Sequence, residues 1–229
     1  MDMMTHLGAL GTPDLLAMLA VLLLWAGSGW LIEHPPASRP SVSLIMQEYR
    51  HDWMRQFVTR QPRIFDATLI DSLRQGTAFF ASACMIAIGG GVAIIGNSDQ
   101  LRGIAQDLTS EATSVQVEVK MILSLAFLAN ALLKFVWSHR LFAYCAVLMA
   151  AVPNDITDPQ AYPRAAQAAD INITAARNFN KGLRAIYFAL ASLGWFFGPW
   201  GLVLAALAAT TVLMRREFVS QSRDVMLRR

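Results

Sequence analysis

An all-α integral membrane protein is the fold class that this sequence predicts, and three observations support it. Hydrophobic residues make up 55% of the 229 residues, and they gather into four long stretches. Charged residues make up only 15%, against about 25% in an average soluble domain. A helix of about 20 apolar residues crosses the hydrocarbon core of a bilayer. We therefore predict one membrane domain over residues 1–229, a helical bundle with about four transmembrane helices and a cytoplasmic amphipathic helix.

The first apolar stretch, residues 13–32, predicts a transmembrane helix that the protein retains. Thr12 is a suitable N-cap, Pro13 fits the first helical position, and Asp14 lies at the positive end of the helix dipole. A cleaved signal peptide is the alternative, and it would have a basic leader and a shorter apolar core. The residues before Pro13 include Asp2 and no Lys or Arg, which favours the retained helix.

Residues 41–58 have the pattern of an amphipathic helix. Apolar residues recur there at three- and four-residue spacing, namely Val42, Ile45, Met46, Tyr49, Trp53 and Phe57. Such a helix lies either at the membrane interface or against the cytoplasmic ends of the bundle, and the pattern fits both. Pro62 ends the run, and residues 64–75 predict a second short helix that leads into the membrane.

The second apolar stretch, residues 77–96, predicts a transmembrane helix in spite of three consecutive glycines at 89–91. In lipid the backbone groups have no water to bind, so the helical hydrogen bonds persist. Ala83, Ala87 and Gly91 are spaced by four residues and form a small face that suits close helix packing.

The third and fourth stretches are longer than one crossing requires. For the third we predict a span over residues 119–138 that continues as helix to 152, with a re-entrant piece over 141–152 as the alternative. For the fourth, residues 186–214, we predict one long helix kinked at Pro199, because proline removes a backbone donor.

The distribution of positive charge predicts an extracellular N-terminus. Positive charge in short loops marks the cytoplasmic side of a membrane protein. Residues 33–76 contain six arginines, residues 139–185 contain five basic residues, and residues 97–118 contain only Arg102. The tail after Met214 contains five more, which fits a cytoplasmic side only if one of the overlong stretches is a re-entrant hairpin or a double crossing.

Motifs of catalysis and metal binding are missing from the sequence. It contains no phosphate-binding loop, nucleophile elbow or zinc-protease motif. Glu48 and His51 give one Glu-x-x-His spacing, whereas a di-iron bundle needs two. Cys84 and Cys145 lie in apolar surroundings that are typical of inert packing. We therefore expect no enzyme, no cofactor, no metal and no nucleic-acid partner.

Lys134 is the most informative candidate, because an ionisable residue inside a span is costly and often functional. A polar helical face around it would suit a water-filled path that favours anions. We predict four pore or ligand candidates, namely Lys134, Lys120, Asn130 and Ser138. The alternative is that Lys134 extends to a nearby membrane interface, or pairs with Asp66 or Asp71.

A second group of candidates consists of cations beside the predicted spans, which would bind an anion or a lipid head group. These are Arg50, Arg55, Arg63, Arg140, Lys181 and Arg184. The alternative interpretation is that they merely flank the membrane on its cytoplasmic side.

Seven segments together resemble one known family. They are FFAS at 79–82, IGG at 88–90, KFVWS at 134–138, RLF at 140–142, FNKGLRA at 179–185, GWFFGPW at 194–200 and RREF at 215–218. They resemble the family catalogued as domain of unknown function 599, which comprises integral membrane proteins of bacteria and plants. The resemblance covers about residues 14–218. It implies an all-helical membrane protein and supplies no activity, substrate or catalytic residue.

Two functions follow as hypotheses. The first is an oligomeric channel or transporter-like protein for a small ion or anion, with pores formed between subunits. The alternative is a structural or lipid-binding membrane protein without transport activity. Both place the protein in the inner membrane of a bacterium, with membrane lipids and further copies of the same chain as partners.

Overall fold

The computed structural model describes residues 11–97, 103 and 114–228. In this part of the chain it contains α-helices, one 3-10 helix and no strand, which confirms the predicted all-α class. The helices are α1 (Thr12–Glu33), α2 (Val42–Thr59), α3 (Ile64–Ile95), α4 (Ser114–Ala150), α5 (Ala161–Ser192), the 3-10 helix (Leu193–Phe197), α6 (Gly198–Phe218) and α7 (Gln221–Leu227).

Four helical segments of the described chain are long and apolar enough to cross a membrane, which confirms the predicted number. They are Thr12–Glu33, Ile64–Ile95, Val117–Ala150 and Ala161–Leu227. The last segment contains both α5 and α6, and it is not a single straight helix.

The prediction of one kinked helix over residues 186–214 is wrong, because the chain reverses there. α5 ends at Ser192, and Gly198 adopts a φ of 90°, which L side chains rarely adopt. Across this turn a Cβ atom on Gly194 would lie 2.7 Å from the carbonyl oxygen of Gly201, so the close approach requires glycine. α6 therefore returns antiparallel to α5, and the two form a helical hairpin that the sequence left open as an alternative.

The two ends of the bundle are marked by hydrogen bonds and ion pairs between distant residues. At one end Lys181 Nζ lies 3.0 Å from Glu33 Oε2, and the Ser43 amide donates to Glu217 Oε2 at 3.0 Å. At the other end Trp195 Nε1 donates to Asp14 Oδ1 at 2.7 Å. We call the first end the basic end and the second the opposite end. The C-terminal tail follows α6 and therefore lies at the basic end.

α4 is one continuous helix that packs antiparallel on α5 along most of its length. Ser138 Oγ donates to the Ala175 carbonyl at 2.8 Å, and the hydroxyls of Ser124 and Ser192 are 2.6 Å apart. The predicted helical continuation beyond 138 is present through Ala150, and the re-entrant alternative does not occur. α3 is likewise continuous, so the short helix predicted at 64–75 is the first part of the second span.

The amphipathic helix α2 packs against α5 at the basic end, which is one of the two arrangements that its pattern predicts. Ser41 caps it by accepting a hydrogen bond from the Leu44 amide at 3.2 Å. Its apolar face buries Ile45, Met54 and Phe57. α3 packs instead on α4, so α2 and α3 lie on either side of a groove.

Candidate functional site

The predicted polar face of α4 is largely occupied by protein contacts. Lys120 and Ser138 are buried, and Ser138 binds α5. Lys120 is 8% exposed and lies within electrostatic range of Asp14 near the opposite end. Asn130 is half-buried. Within one described chain these residues therefore line a helix interface, and their role in a pore between subunits stays a prediction.

Lys134 is half-buried, and its ammonium group has no hydrogen bond or ion pair with the described residues. The predicted pairing with Asp66 or Asp71 is wrong. Asp66 is fully buried and accepts hydrogen bonds from Trp53 Nε1 at 2.6 Å and from Arg60. Asp71 accepts from Gln75 Nε2 at 2.7 Å. Both carboxylates therefore bind residues close to them in sequence through one oxygen, and the other oxygen of Asp66, Oδ2, is buried without a hydrogen-bond partner among the described residues.

Two of the predicted anion-binding cations share one carboxylate. Lys181 and Arg184 both bind Glu33, and the Arg184 Nη2 to Glu33 Oε1 distance is 2.5 Å. Arg184 is 7% exposed. The two ion pairs join Glu33 at the end of α1 to α5, which favours a structural role for both cations.

Three further candidates lie apart from one another. Arg55 is exposed, and its guanidinium is 3.9 Å from Asp52. Arg140 is exposed and donates to the Tyr144 hydroxyl at 2.7 Å. Arg63 donates to backbone carbonyls that include Val152 at 2.9 Å. The structure therefore does not bring the six predicted cations together in one site.

Arg50 does line a cavity, which lies in the groove between α2 and α3 and measures about 380 Å³. α4 and α5 form its floor through Phe142 and Ile173. The guanidinium of Arg50 donates to the side-chain carbonyl of Asn172, which is fully buried. The walls are mostly apolar, and the polar residues in the lining are Ser43, Gln47, Arg50, Ser72, Arg177, Asn180 and Glu217.

A network of polar contacts holds these lining side chains. Arg177 Nη2 donates to Gln47 Oε1 at 2.8 Å. Asn180 Nδ2 donates to Ser43 Oγ at 3.3 Å, and Ser43 Oγ donates to Glu217 Oε1 at 3.0 Å. The carboxylate of Glu217 is thus satisfied by Ser43, and the network links α2, α5 and α6 across the cavity.

The cavity is lined by two positive charges that form no ion pair and by one negative charge on Glu217, so its formal charge is positive. Both Arg50 and Arg177 bind neutral amides, and neither lies within 4.0 Å of a carboxylate among the described residues. Burial lowers the pKa of Arg50, yet arginine remains charged in proteins. A partly buried cation without an ion-pair partner is costly, so the half-buried Arg50 favours an oxyanion that it binds together with the exposed Arg177.

Sequence reasoning missed most of this site. Of the polar residues that line the cavity, it selected Arg50 as a candidate. Arg177, Gln47 and Glu217 were not candidates, although Gln47 and Arg50 are spaced by three residues on one helical face. Among the described residues no three of His, Cys, Asp and Glu lie close enough to hold a metal ion.

The fold and the cavity together define a class, an all-helical membrane protein with a polar site at one end of its bundle. The chain belongs to the family described as Protein of unknown function, DUF599, whose model matches residues 16–222. No curated protein and no solved structure matches the chain at a significant level. The family assignment agrees with the resemblance seen in the sequence.

Proposed function

We propose that this protein binds an anionic phospholipid by its head group in the cavity between α2 and α3. The observation that supports this most is that Arg50 and Arg177, each held only by a neutral amide, line the same cavity. A guanidinium group binds the oxygens of a phosphate in a bidentate manner. The apolar walls, which include Met46 and Phe142, suit the upper part of an acyl chain.

The position of the cavity along the bundle supports a lipid as the ligand. Gly76 lines it and begins the charge-free part of α3, while Glu217 lies at the end of α6. Val42 follows the end of α1 by nine residues. These lining residues all stand where the apolar helices end, which is the level of lipid head groups in a bilayer.

We further propose that the basic end faces the cytoplasm and the N-terminus lies outside, in the inner membrane of a bacterium. The hairpin brings the tail to the same end as residues 33–76 and 139–185. These three segments contain sixteen of the 19 Lys and Arg residues of the sequence. Such an asymmetry supports a cytoplasmic basic end, where anionic lipids give the leaflet a negative potential.

Lipid binding is tested by native mass spectrometry of the purified protein with phosphatidylglycerol and phosphatidylcholine. We expect phosphatidylglycerol to bind preferentially, and Arg177→Gln to weaken it about ten-fold, because a charge-assisted hydrogen bond is lost. Arg177 is exposed, so this variant keeps the fold, whereas Arg50→Gln also removes a partner of buried Asn172.

Arg55→Gln is the matched control, because it removes the same charge from an exposed position of α2 outside the cavity. It should leave the preference for phosphatidylglycerol unchanged. Equal affinity of the wild-type protein for the two lipids, or equal losses in Arg177→Gln and Arg55→Gln, would overturn the proposal.

A second candidate function is the oligomeric channel or transporter-like activity. The half-buried ammonium of Lys134, which has no partner among the described residues, favours it. A Cβ atom added to Gly89 or Gly90 of α3 would meet no atom within 4 Å, so this face has room for a second copy. Anion flux into proteoliposomes tests it, with Lys134→Ala expected to reduce flux and Lys134→Arg to retain it. Flux that is absent, or equal in both variants, would contradict it.

The expectation that the protein is not an enzyme stays a prediction.

A further inference from the structure

A second cavity lies on the other side of α3, between α3 and α4, and measures about 320 Å³. Phe57 of α2 closes it on one side, and Ile70 and Met149 form apolar walls. Two arginines, Arg63 and Arg74, also line it. The first cavity lies beside Leu73 and Gly76 of α3, so the two cavities share no lining residue and are separate sites.

Arg63 is a fixed part of this second cavity. Its Nη1 donates to the Val152 carbonyl and its Nη2 to the Pro153 carbonyl, both at 2.9 Å. Its guanidinium carbon also lies 4.6 Å from the centre of the Phe57 ring. The side chain therefore has a defined position, and its charge is bound only by neutral groups.

Arg74 differs, because its guanidinium has no hydrogen-bond acceptor and no carboxylate partner among the described residues. The Nε atoms of both Arg63 and Arg74 are buried and have no hydrogen-bond partner there. Asp71 is the carboxylate in the lining, and its Oδ2 already accepts from Gln75 at 2.7 Å. Arg74 itself is half-buried and lines the cavity, so its guanidinium is a charged donor that an oxyanion in the cavity can reach.

We propose that the second cavity is a binding site for an oxyanion, phosphate or carboxylate, carried on a small apolar body. Arg74 is the principal donor to the oxyanion, and Arg63 contributes a fixed positive charge beside it. Phe57, Ile70 and Met149 provide the contact surface for the apolar part. This site is independent of the lipid site proposed above.

The ligand reaches this site from the aqueous phase at the basic end. The lining residues of α3 run from Arg63 to Arg74, before the charge-free part that begins at Gly76. Those of α4 run from Ala146 to Ala150, beyond the polar residues His139 and Arg140. The cavity thus lies towards the basic end, beyond the charge-free part of α3 and beyond the span predicted over residues 119–138, where a soluble organic anion has access.

A local chemical readout tests the site in the full-length protein in phosphatidylcholine nanodiscs. Asn154 is exposed and lines the second cavity, so Asn154→Cys places a reactive thiol there, whereas Cys84 and Cys145 are buried. We expect phenyl phosphate to slow maleimide labelling of this thiol, and phenol, which lacks the oxyanion, not to do so. A thiol introduced by Ser38→Cys, outside the cavity, should label at the same rate with and without phenyl phosphate.

The residue assignment is tested by combining Asn154→Cys with Arg74→Gln. Loss of a hydrogen bond to a charged group should raise the half-protecting concentration of phenyl phosphate about ten-fold or more. Arg55→Gln, the matched loss of an exposed charge, should leave it unchanged. Absence of protection, or equal protection in Arg74→Gln and wild type, would overturn the proposal. Neither result depends on Arg50 or Arg177, so failure here is distinct from failure of the lipid site.

A second arm of the experiment identifies the source of the oxyanion. Nanodiscs that contain phosphatidylglycerol replace those of pure phosphatidylcholine, and labelling is measured without phenyl phosphate. Slower labelling that Arg74→Gln restores would support the site and assign a lipid head group to it. Unchanged labelling, together with protection by phenyl phosphate, would support a soluble ligand.

Discussion

At the opposite end of the bundle the helices meet backbone to backbone, whereas at the basic end long polar side chains span the gaps between them. Gly194 and Gly201 touch across the α5–α6 turn, and a short hydroxyl contact joins Ser124 to Ser192. At the basic end Arg177 reaches Gln47, 130 residues away in sequence. Close packing leaves little space, while bridging by long side chains leaves room for ligands.

The distribution of the cavities follows from this difference. The two cavities that flank α3 lie at the basic end, where α2 packs on α5 and α3 packs on α4. In lipid, helices associate through small residues and tight van der Waals contacts, as they do at the opposite end. At the basic end, ion pairs and hydrogen bonds to backbone carbonyls replace those contacts.

The largest expected effect concerns the sides of the membrane on which the two ends lie. Single exposed cysteines introduced by Ser38→Cys and Arg228→Cys should both be labelled from the cytoplasmic side by a membrane-impermeant maleimide, because the hairpin brings both to the basic end. Asn97→Cys, after the end of α3, should be labelled only from the other side. Labelling of Ser38→Cys and Arg228→Cys from different sides would contradict the hairpin.

Removal of a buried charge at the basic end should have the next largest effect. Asp66→Ala leaves Arg60 and Trp53 without their acceptor, and we expect the free energy of unfolding to fall by about 3 kcal/mol. Chemical unfolding in detergent, followed by tryptophan fluorescence, measures it. Asp52→Ala, at an exposed ion pair, should change it by less than about 0.5 kcal/mol. Equal losses in the two variants would show that Asp66 is no more important than a surface carboxylate.

Overpacking at the opposite end should have a moderate effect. A Cβ atom on Gly201 would collide with the carbonyl oxygen of Gly194, so Gly201→Ala should lower the free energy of unfolding by about 2 kcal/mol. Gly90→Ala is the control, since nothing lies within 4 Å of its Cβ position, and it should be neutral or slightly stabilising. A neutral Gly201→Ala variant would argue against the close turn.

The smallest expected effect concerns the ion pairs between α1 and α5. Glu33→Gln weakens the contacts to Lys181 and Arg184, and we expect a loss of about 1–2 kcal/mol in the free energy of unfolding. The double variant with Arg184→Gln should lose less than the sum of the single variants, because they remove one shared interaction. Strict additivity in the thermal or chemical unfolding data would show that the two groups are not coupled.

Sequence reasoning predicted the helices well, because apolar length and caps are local properties. α1 was predicted over 13–32 and spans Thr12–Glu33. The reversal at Gly198 was not predicted, since a Gly-Pro pair in an apolar stretch fits a kink and a turn equally well. The contact between Gly194 and Gly201 distinguishes the turn from a kink. It is a tertiary contact, and it leaves no periodic signal in the sequence.

The candidate site was harder to predict, because its groups come from helices far apart in the chain. Helical periodicity reports on one helix at a time, so it showed Arg50 on α2 but not its approach to Asn172, 122 residues later. Periodicity also does not show that Lys181 and Arg184 form ion pairs, because their partner lies on another helix. Their partner, Glu33, lies about 150 residues earlier and became evident only in the structure.

α1 packs on α6, and the hydrogen bond between Asp14 and Trp195 ties the start of α1 to the turn that precedes α6. This packing has a consequence for the order in which the protein is assembled. Translation makes α1 before α6, and Asp14 and Trp195 are separated by 181 residues. At about 5–20 residues per second, translation of that interval takes on the order of 10–40 s. During that time α1 has no contact with α6, so its own apolar residues stabilise it in the bilayer.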